Sequence, residues 1–142
     1  MAYEQYTLTF GGYCRDVTIH AIPSYSGVYC VYCCTHDEYQ NTLILRELIY
    51  IGEAENVKER IYSHHMWSAW KSRLQEGERI CFSYANIENA HRERCEAALI
   101  NHHKPPLNTQ YISNFPFDDT TLNLKGKISR LESSFMVSRK ES

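Results

Sequence analysis

Six separated positions in this sequence carry side chains suited to work on a phosphate ester. Tyr29 closes the triplet Gly27-Val28-Tyr29, and Tyr50 opens the triplet Tyr50-Ile51-Gly52 twenty-one residues later. Arg60 follows Tyr50 by ten residues, and His64 follows Arg60 by four. Glu96 and Asn108 complete the set, twelve residues apart. Hydrolysis of a phosphodiester needs an activated water, neutralised charge on the phosphoryl oxygens and help for the leaving oxygen. A divalent metal held by few protein ligands supplies the last two. Magnesium suits such a site, because it keeps several waters and accepts one or two carboxylates. An arginine fork matches phosphate oxygens. A tyrosine is a weaker candidate for water activation, since only ~0.1% of a free phenol is ionised at pH 7. It needs a neighbour that takes its proton or favours its anion.

Order and spacing of these residues, from Ser26 to Asn108, resemble the GIY-YIG nuclease family. The segment Tyr50-Ile51-Gly52, then Asn56-Val57, Arg60 and His64, is the most specific part of the likeness. The resemblance implies six roles. Glu96 holds the metal, and Arg60 binds the scissile phosphate. Tyr29 activates water with His64 as its proton acceptor, and Tyr50 contacts the phosphate or the water. Asn108 organises the site through hydrogen bonds. Some family members use a lysine soon after the second triplet; this chain has Glu53 there. The histidine-using branch, which includes certain restriction endonucleases, fits His64 better. His65 is adjacent, but on a helix it sits ~100° away.

Each of these residues also has a plainer reading. Glu96 could pair with Arg92 on a helix face, and Arg60 could pair with Glu59 or Glu55. Tyr50 could be a packed strand tyrosine among eleven tyrosines, and Asn108 a turn residue after Pro105-Pro106. Gly27 and Gly52 read as structural, permitting close strand approach. His91, His102 and His103 receive no role.

The elements that must position these groups follow from periodicity. Residues 6–10 and 15–22 read as two strands around a Gly11-Gly12 turn. Val28 to Cys34 reads as a buried strand, residues 35–42 as a loop, and Leu43 to Ile51 as the antiparallel partner strand. Asn56 caps a helix with Glu59 three residues on; Val57 and Ile61 face the core, and Arg60 and His64 share a neighbouring helix face. Met66, Trp67, Trp70 and Leu74 suggest a second helix, its tryptophans core residues more readily than a base-stacking platform. Ile80 to Ile87 reads as a third strand and Asn89 to Asn101 as a helix ended by Lys104-Pro105-Pro106. Thr121 to Leu131 suggests an edge strand or a short helix, and residues 136–142 a frayed end. The expected fold is therefore a small α/β domain: a central antiparallel three-stranded sheet flanked by helices. Residues 1–25 form an N-terminal hairpin extension, 26–108 the nuclease-like core and 109–142 a C-terminal extension.

Composition sets the outer limits. With 142 residues, 43% apolar and 23% charged, the chain fits one globular domain with a modest core. No apolar run reaches the ~20 residues of a membrane span, and no secretory leader pattern opens the chain. A cytoplasmic protein with six reduced cysteines is expected. Cys30 and Cys33 would face opposite sides of a strand, which argues against zinc. The net charge of −2 counts against a nucleic-acid binder, yet the charge is segregated. Lys58, His65, Lys71 and Arg73 are the candidate DNA contacts. Solvated helix faces and a basic binding face both fit that segregation.

The expected activity is metal-dependent endonucleolytic cleavage of DNA, leaving 5′-phosphate and 3′-hydroxyl ends, with Mg2+ as cofactor and Mn2+ as a substitute. A restriction-type enzyme cutting both strands would act as a homodimer. Two other readings stay open: a non-catalytic nucleic-acid-binding module, and a phosphodiesterase acting on RNA, since the six groups address phosphate rather than base or sugar.

Overall fold

The structure is a computed structural model and describes residues 2–141. Six strands form one mixed sheet that curls into a half-barrel. They are β1 (Glu4–Arg15), β2 (Gly27–Asp37), β3 (Thr42–Ala54), β4 (Arg79–Asn86), β5 (Thr120–Gly126) and β6 (Ser134–Val137). Their order across the sheet is β3-β2-β4-β1-β5-β6. All neighbouring pairs are antiparallel except β1 and β5, which run parallel. The helices are α1 (Val57–Tyr62), α2 (Trp67–Ser72) and α3 (Arg92–His103), with short 3-10 turns at Asp16–Ala21 and Asn89–His91.

This overturns the expected three-stranded antiparallel sheet flanked by helices. The sheet has twice that number of strands, and α1 and α2 have six residues each. The added strands come from both ends of the chain. β1 is inserted between β4 and β5, so its partners lie some seventy and over a hundred residues away in sequence. Pairing of that range leaves no local trace.

The expected N-terminal hairpin is likewise a single strand. Gly11 and Gly12 do not turn the chain. A Cβ on Gly11 would lie 3.1 Å from the Tyr84 ring, and one on Gly12 would lie 2.9 Å from the Phe82 carbonyl oxygen. Gly12 has φ +134° and sits where the β1–β4 register shifts. The two glycines thus serve a bulge and a close strand approach. Residues 16–21, read as strand, form a 3-10 turn instead. The tail read as frayed, 136–142, begins inside β6, and Phe115 bridges Lys140 beyond that strand; Ser142 lies outside the described residues.

Strand β2 is buried on both faces, which explains its continuous apolar run. Val28, Cys30, Tyr32 and Cys34 pack toward α3 and the C-terminal strands. Tyr29, Val31 and Cys33 pack toward α1 and α2 with Ile49, Ile61, Trp70 and Phe82. Cys30 and Cys33 therefore face opposite sides. Cys34 and Cys81 are disulfide-bonded between β2 and β4, with Cα atoms 6.3 Å apart, which corrects the expectation of six reduced cysteines. Arg94 of α3 ties the N-terminal residues and the start of β5 to the core: its Nε donates to Thr120 Oγ1 (2.9 Å) and its guanidinium to the Ala2 carbonyl (2.9 Å). Among the described residues no helix is long and apolar enough to cross a membrane.

Candidate active site at the β3 edge

β3 lies at one edge of the sheet, and the candidate residues gather there from both sheet faces. Tyr29 and Gly52 are paired in register across β2 and β3. A Cβ on Gly52 would lie 2.3 Å from the Tyr29 hydroxyl, so this glycine makes room for that phenol. Gly27 instead lets β2 approach β4, since a Cβ there would lie 2.0 Å from the Ala85 carbonyl oxygen. Tyr50, diagonal to Tyr29, has its ring centroid 6.4 Å away, a normal same-face spacing.

α1 places Arg60. Asn56 caps it, with Oδ1 accepting from the Glu59 N–H at 3.0 Å, and Val57 and Ile61 are buried as the spacing required. The helix then stops. The Ser63 hydroxyl donates to the Glu59 carbonyl, and the Trp67 indole N–H donates to the Ile61 carbonyl at 2.7 Å. His64 therefore lies in the turn between α1 and α2, not on a helix face with Arg60. That turn folds its ring inward: His64 is 4% exposed. Its centroid is 6.1 Å from Tyr29, 5.4 Å from Tyr50 and 4.6 Å from Trp70. Trp70 is fully buried and forms the floor.

α3 brings Glu96 from the other sheet face. A small cavity of about 180 Å³ at the edge is lined by Tyr50, His65, Met66, Glu96, Leu107 and Asn108 among others. A larger groove of about 590 Å³ runs past Arg60 with Ser24, Asn56, Glu59 and Ser63. Asn108 seals the strand edge: its Oδ1 accepts from the Ile51 N–H and its Nδ2 donates to the Ile51 carbonyl, both at 2.9 Å. It sits on the residue between Tyr50 and Gly52.

The electrostatics tie these groups together. Burial, then the charges of Glu53 and Glu93, push the Glu96 carboxyl up to about 8; the Glu53 backbone amide and Arg60 oppose this more weakly. Burial, then Tyr50, raises the Tyr29 phenol, while Arg60 favours its anion by charge and hydrogen bonding. Burial, then Glu96, raises Tyr50. Burial, then the positive charge of Arg60, lowers His64 to about 4.

Glu53, which takes the place of the family's lysine, is the residue that sequence reasoning missed. Its carboxylate binds Arg92 at 3.0 Å, so Arg92 is engaged by β3. Among the described residues Glu96 has no ion pair. A carboxylate next to Gly52, on the face opposite Gly52, was the available signal. Of the candidate DNA contacts, His65 stacks on His64 at 4.8 Å beside the cavity. Lys58 lines a neighbouring groove with His20 and Tyr62. Lys71 lies over the Trp67 ring, and Arg73 is bound by Glu47 at 2.9 Å; neither lines the cavity.

Among the described residues no three His, Cys, Asp or Glu side chains converge on one point. The donor set that does exist is one carboxylate crowded by two others, which suits a hard cation needing few protein ligands. The chain matches no protein-family model, no curated protein and no solved structure.

Proposed function

We propose that this protein is a metal-dependent endonuclease that hydrolyses DNA phosphodiester bonds to 5′-phosphate and 3′-hydroxyl ends. The six-stranded sheet departs from the fold that the resemblance implied, so the reading rests on side chains. One observation carries it: Tyr50, its ring 6.4 Å from Tyr29, lines one cavity with Glu96 and Asn108, where the charges of Glu96 and Arg60 bear on both phenols. Structural ion pairing would have joined Glu96 to Arg92; Arg92 is committed to Glu53 instead.

Glu96 would hold Mg2+, with Mn2+ as a substitute; burial, then the charges of Glu53 and Glu93, disfavours its carboxylate, and a cation would favour it. A metal held there by Glu96 would supply neutralisation of phosphoryl charge and make the attacking water more acidic, its proton passing to bulk solvent. Arg60 presents its fork to the scissile phosphate from the groove beside α1. Tyr29 is a phenol in the resting protein, since burial disfavours its anion; it orients the attacking water rather than removing its proton. Tyr50 lines the cavity shared with Glu96 and presents its hydroxyl to the phosphate. Lys58 and His65, along the two flanking surfaces, are the nearest of the candidate DNA contacts.

The test is cleavage of supercoiled and linear plasmid DNA with Mg2+, Mn2+ or chelator, alongside Glu96→Ala. Metal-dependent cutting that disappears in the variant is expected, and discrete fragments would indicate sequence specificity. Binding without cutting in any metal would instead favour a non-catalytic nucleic-acid-binding module. Cutting restricted to RNA would move the activity to that substrate.

A further inference from the structure

The ring nitrogens of His64 have separate assignments. Nδ1 accepts a hydrogen bond from the Met66 backbone N–H at 3.0 Å. A backbone N–H has a proton and no lone pair, so Nδ1 must present its own lone pair. A neutral imidazole in that position carries its proton on Nε2. That Nε2 is buried and has no hydrogen-bond partner among the described residues. It lies in a ring cluster with Tyr29, Tyr50 and Trp70. Neither the Tyr29 nor the Tyr50 hydroxyl bonds to it, and the Trp70 indole N–H in the same cluster is likewise unpartnered among the described residues.

An unmet buried donor is costly in a folded protein and calls for an acceptor. We propose that His64 serves this site as a fixed Nε2–H donor to an oxygen in the cleft, a water or a phosphoryl oxygen. It is not the acceptor for the Tyr29 proton. This rests on reading the cleft as a phosphodiester site. The bond from the Met66 N–H assigns the donor, and the surroundings agree with it: burial and Arg60 both disfavour an imidazolium. A base role would require the lone pair and the proton to exchange places, which would break the bond from Met66. The role is that of an oxyanion-stabilising donor, strongest where charge develops.

The experiment is multiple-bond proton–nitrogen NMR on the full chain with labelled histidine, metal-free and at neutral pH. His64 should show a pyridine-like Nδ1 and a pyrrole-like, protonated Nε2. The reverse tautomer, or an imidazolium, overturns the proposal. Titration with inorganic phosphate then identifies the acceptor. A shifted Nε2–H resonance means a phosphoryl oxygen; an unshifted resonance that exchanges magnetisation with water means a water. A resonance that does neither overturns the proposal. Cleavage kinetics give a second reading. His64→Gln retains an amide donor at that reach, whereas His64→Leu retains none. Loss of one such donor is worth on the order of 10²–10³-fold in kcat, so Leu should fall by that much and Gln by clearly less. Equal losses overturn the donor role. If DNA stays intact in every metal, the nuclease reading fails and the NMR result alone decides the donor.

Discussion

The side chain of Asn108 pairs with the backbone of Ile51 as a neighbouring strand would, accepting from its N–H and donating to its carbonyl at 2.9 Å each. The Leu107 N–H adds a third bond, to the Ile49 carbonyl, at 3.1 Å. The chain after α3 thus caps the β3 edge while leaving the cleft open, where a real seventh strand would have filled it. Asn108→Ala removes both amide bonds and should cost about 1–3 kcal/mol. Asn108→Asp keeps the shape but sets a carboxylate oxygen against the Ile51 carbonyl, so it should be the more damaging of the two. Urea unfolding of both variants checks this. An Asp variant as stable as wild type would remove Asn108 from its structural role.

Gly52 and Tyr29 offer a test of positioning within the same strand pair. A methyl group at residue 52 would meet the Tyr29 hydroxyl at 2.3 Å, and Tyr29 is 1% exposed with little room to retreat. Gly52→Ala should therefore displace the phenol and cost about 1–3 kcal/mol by overpacking. Tyr29→Ala removes everything the methyl group strikes, since Cζ at 2.3 Å and Cε1 at 2.9 Å are met as well as the hydroxyl. The double variant should lose less stability than the sum of the two single losses, giving a non-additive cycle. Additive losses by thermal unfolding would show that the methyl group is accommodated elsewhere.

Glu96 gives a prediction with a defined pH window. Its folded-state pKa, about 8, lies above the ordinary 4.5. A raised pKa means that the folded protein binds the proton more tightly than the unfolded chain. The associated stability is present at low pH and is lost as pH rises toward about 8. A divalent cation must displace that proton, so Mg2+ binding should release it. Apparent affinity should climb by up to about tenfold per pH unit below 8 and level off above it. Calorimetry in two buffers of different ionisation enthalpy reads the released proton directly. Glu96→Gln should abolish both the release and the pH dependence. A flat affinity from pH 6 to 9 would place the cation elsewhere.

How far the sequence disclosed this arrangement depends on the range of the contacts. The β2–β3 pairing was readable because both strands are apolar, adjacent and punctuated. The Asn56 cap and the buried pair Val57 and Ile61 were readable because a helix start is local chemistry. Gly11-Gly12 misled, since a glycine pair signals a turn as readily as a bulge, and only the unseen neighbours Tyr84 and Phe82 distinguish them. β5 was legible only as an edge strand or a short helix, because its partner β1 lies at the opposite end of the chain, and β6, which pairs only with β5, was missed with it. The position of His64 was legible as spacing but not as conformation. Four residues after Arg60 suggests a shared helix face, whereas Ser63 and Trp67 consume the last helical carbonyls and turn the ring inward. Glu53 was legible as a departure from the family pattern. Its partnership with Arg92, and its repulsion of Glu96, required the register of β3 against α3.

That inward turn has a thermodynamic signature. The folded-state pKa of His64, about 4, lies below the ordinary 6.5 because of burial and the charges of Arg60 and His65. The ring also faces the phenols of Tyr29 and Tyr50, which are neutral throughout this range because both are raised from 10. A depressed histidine pKa means that the unfolded chain binds the proton first as pH falls. The stability contribution is therefore complete above about 6.5 and is lost as pH drops toward about 4. Two other groups titrate across the same range. Glu96 acts with the opposite sign, since its pKa is raised. His103, lowered by burial at the far end of α3, acts with the same sign. The difference between wild type and His64→Gln cancels both, since neither group is altered. Urea unfolding at steps from pH 7.5 to 4.5 should show wild type losing stability faster than the variant below about 6.5. Parallel curves would mean that the His64 ring is hydrated and charged in the folded protein rather than buried and neutral.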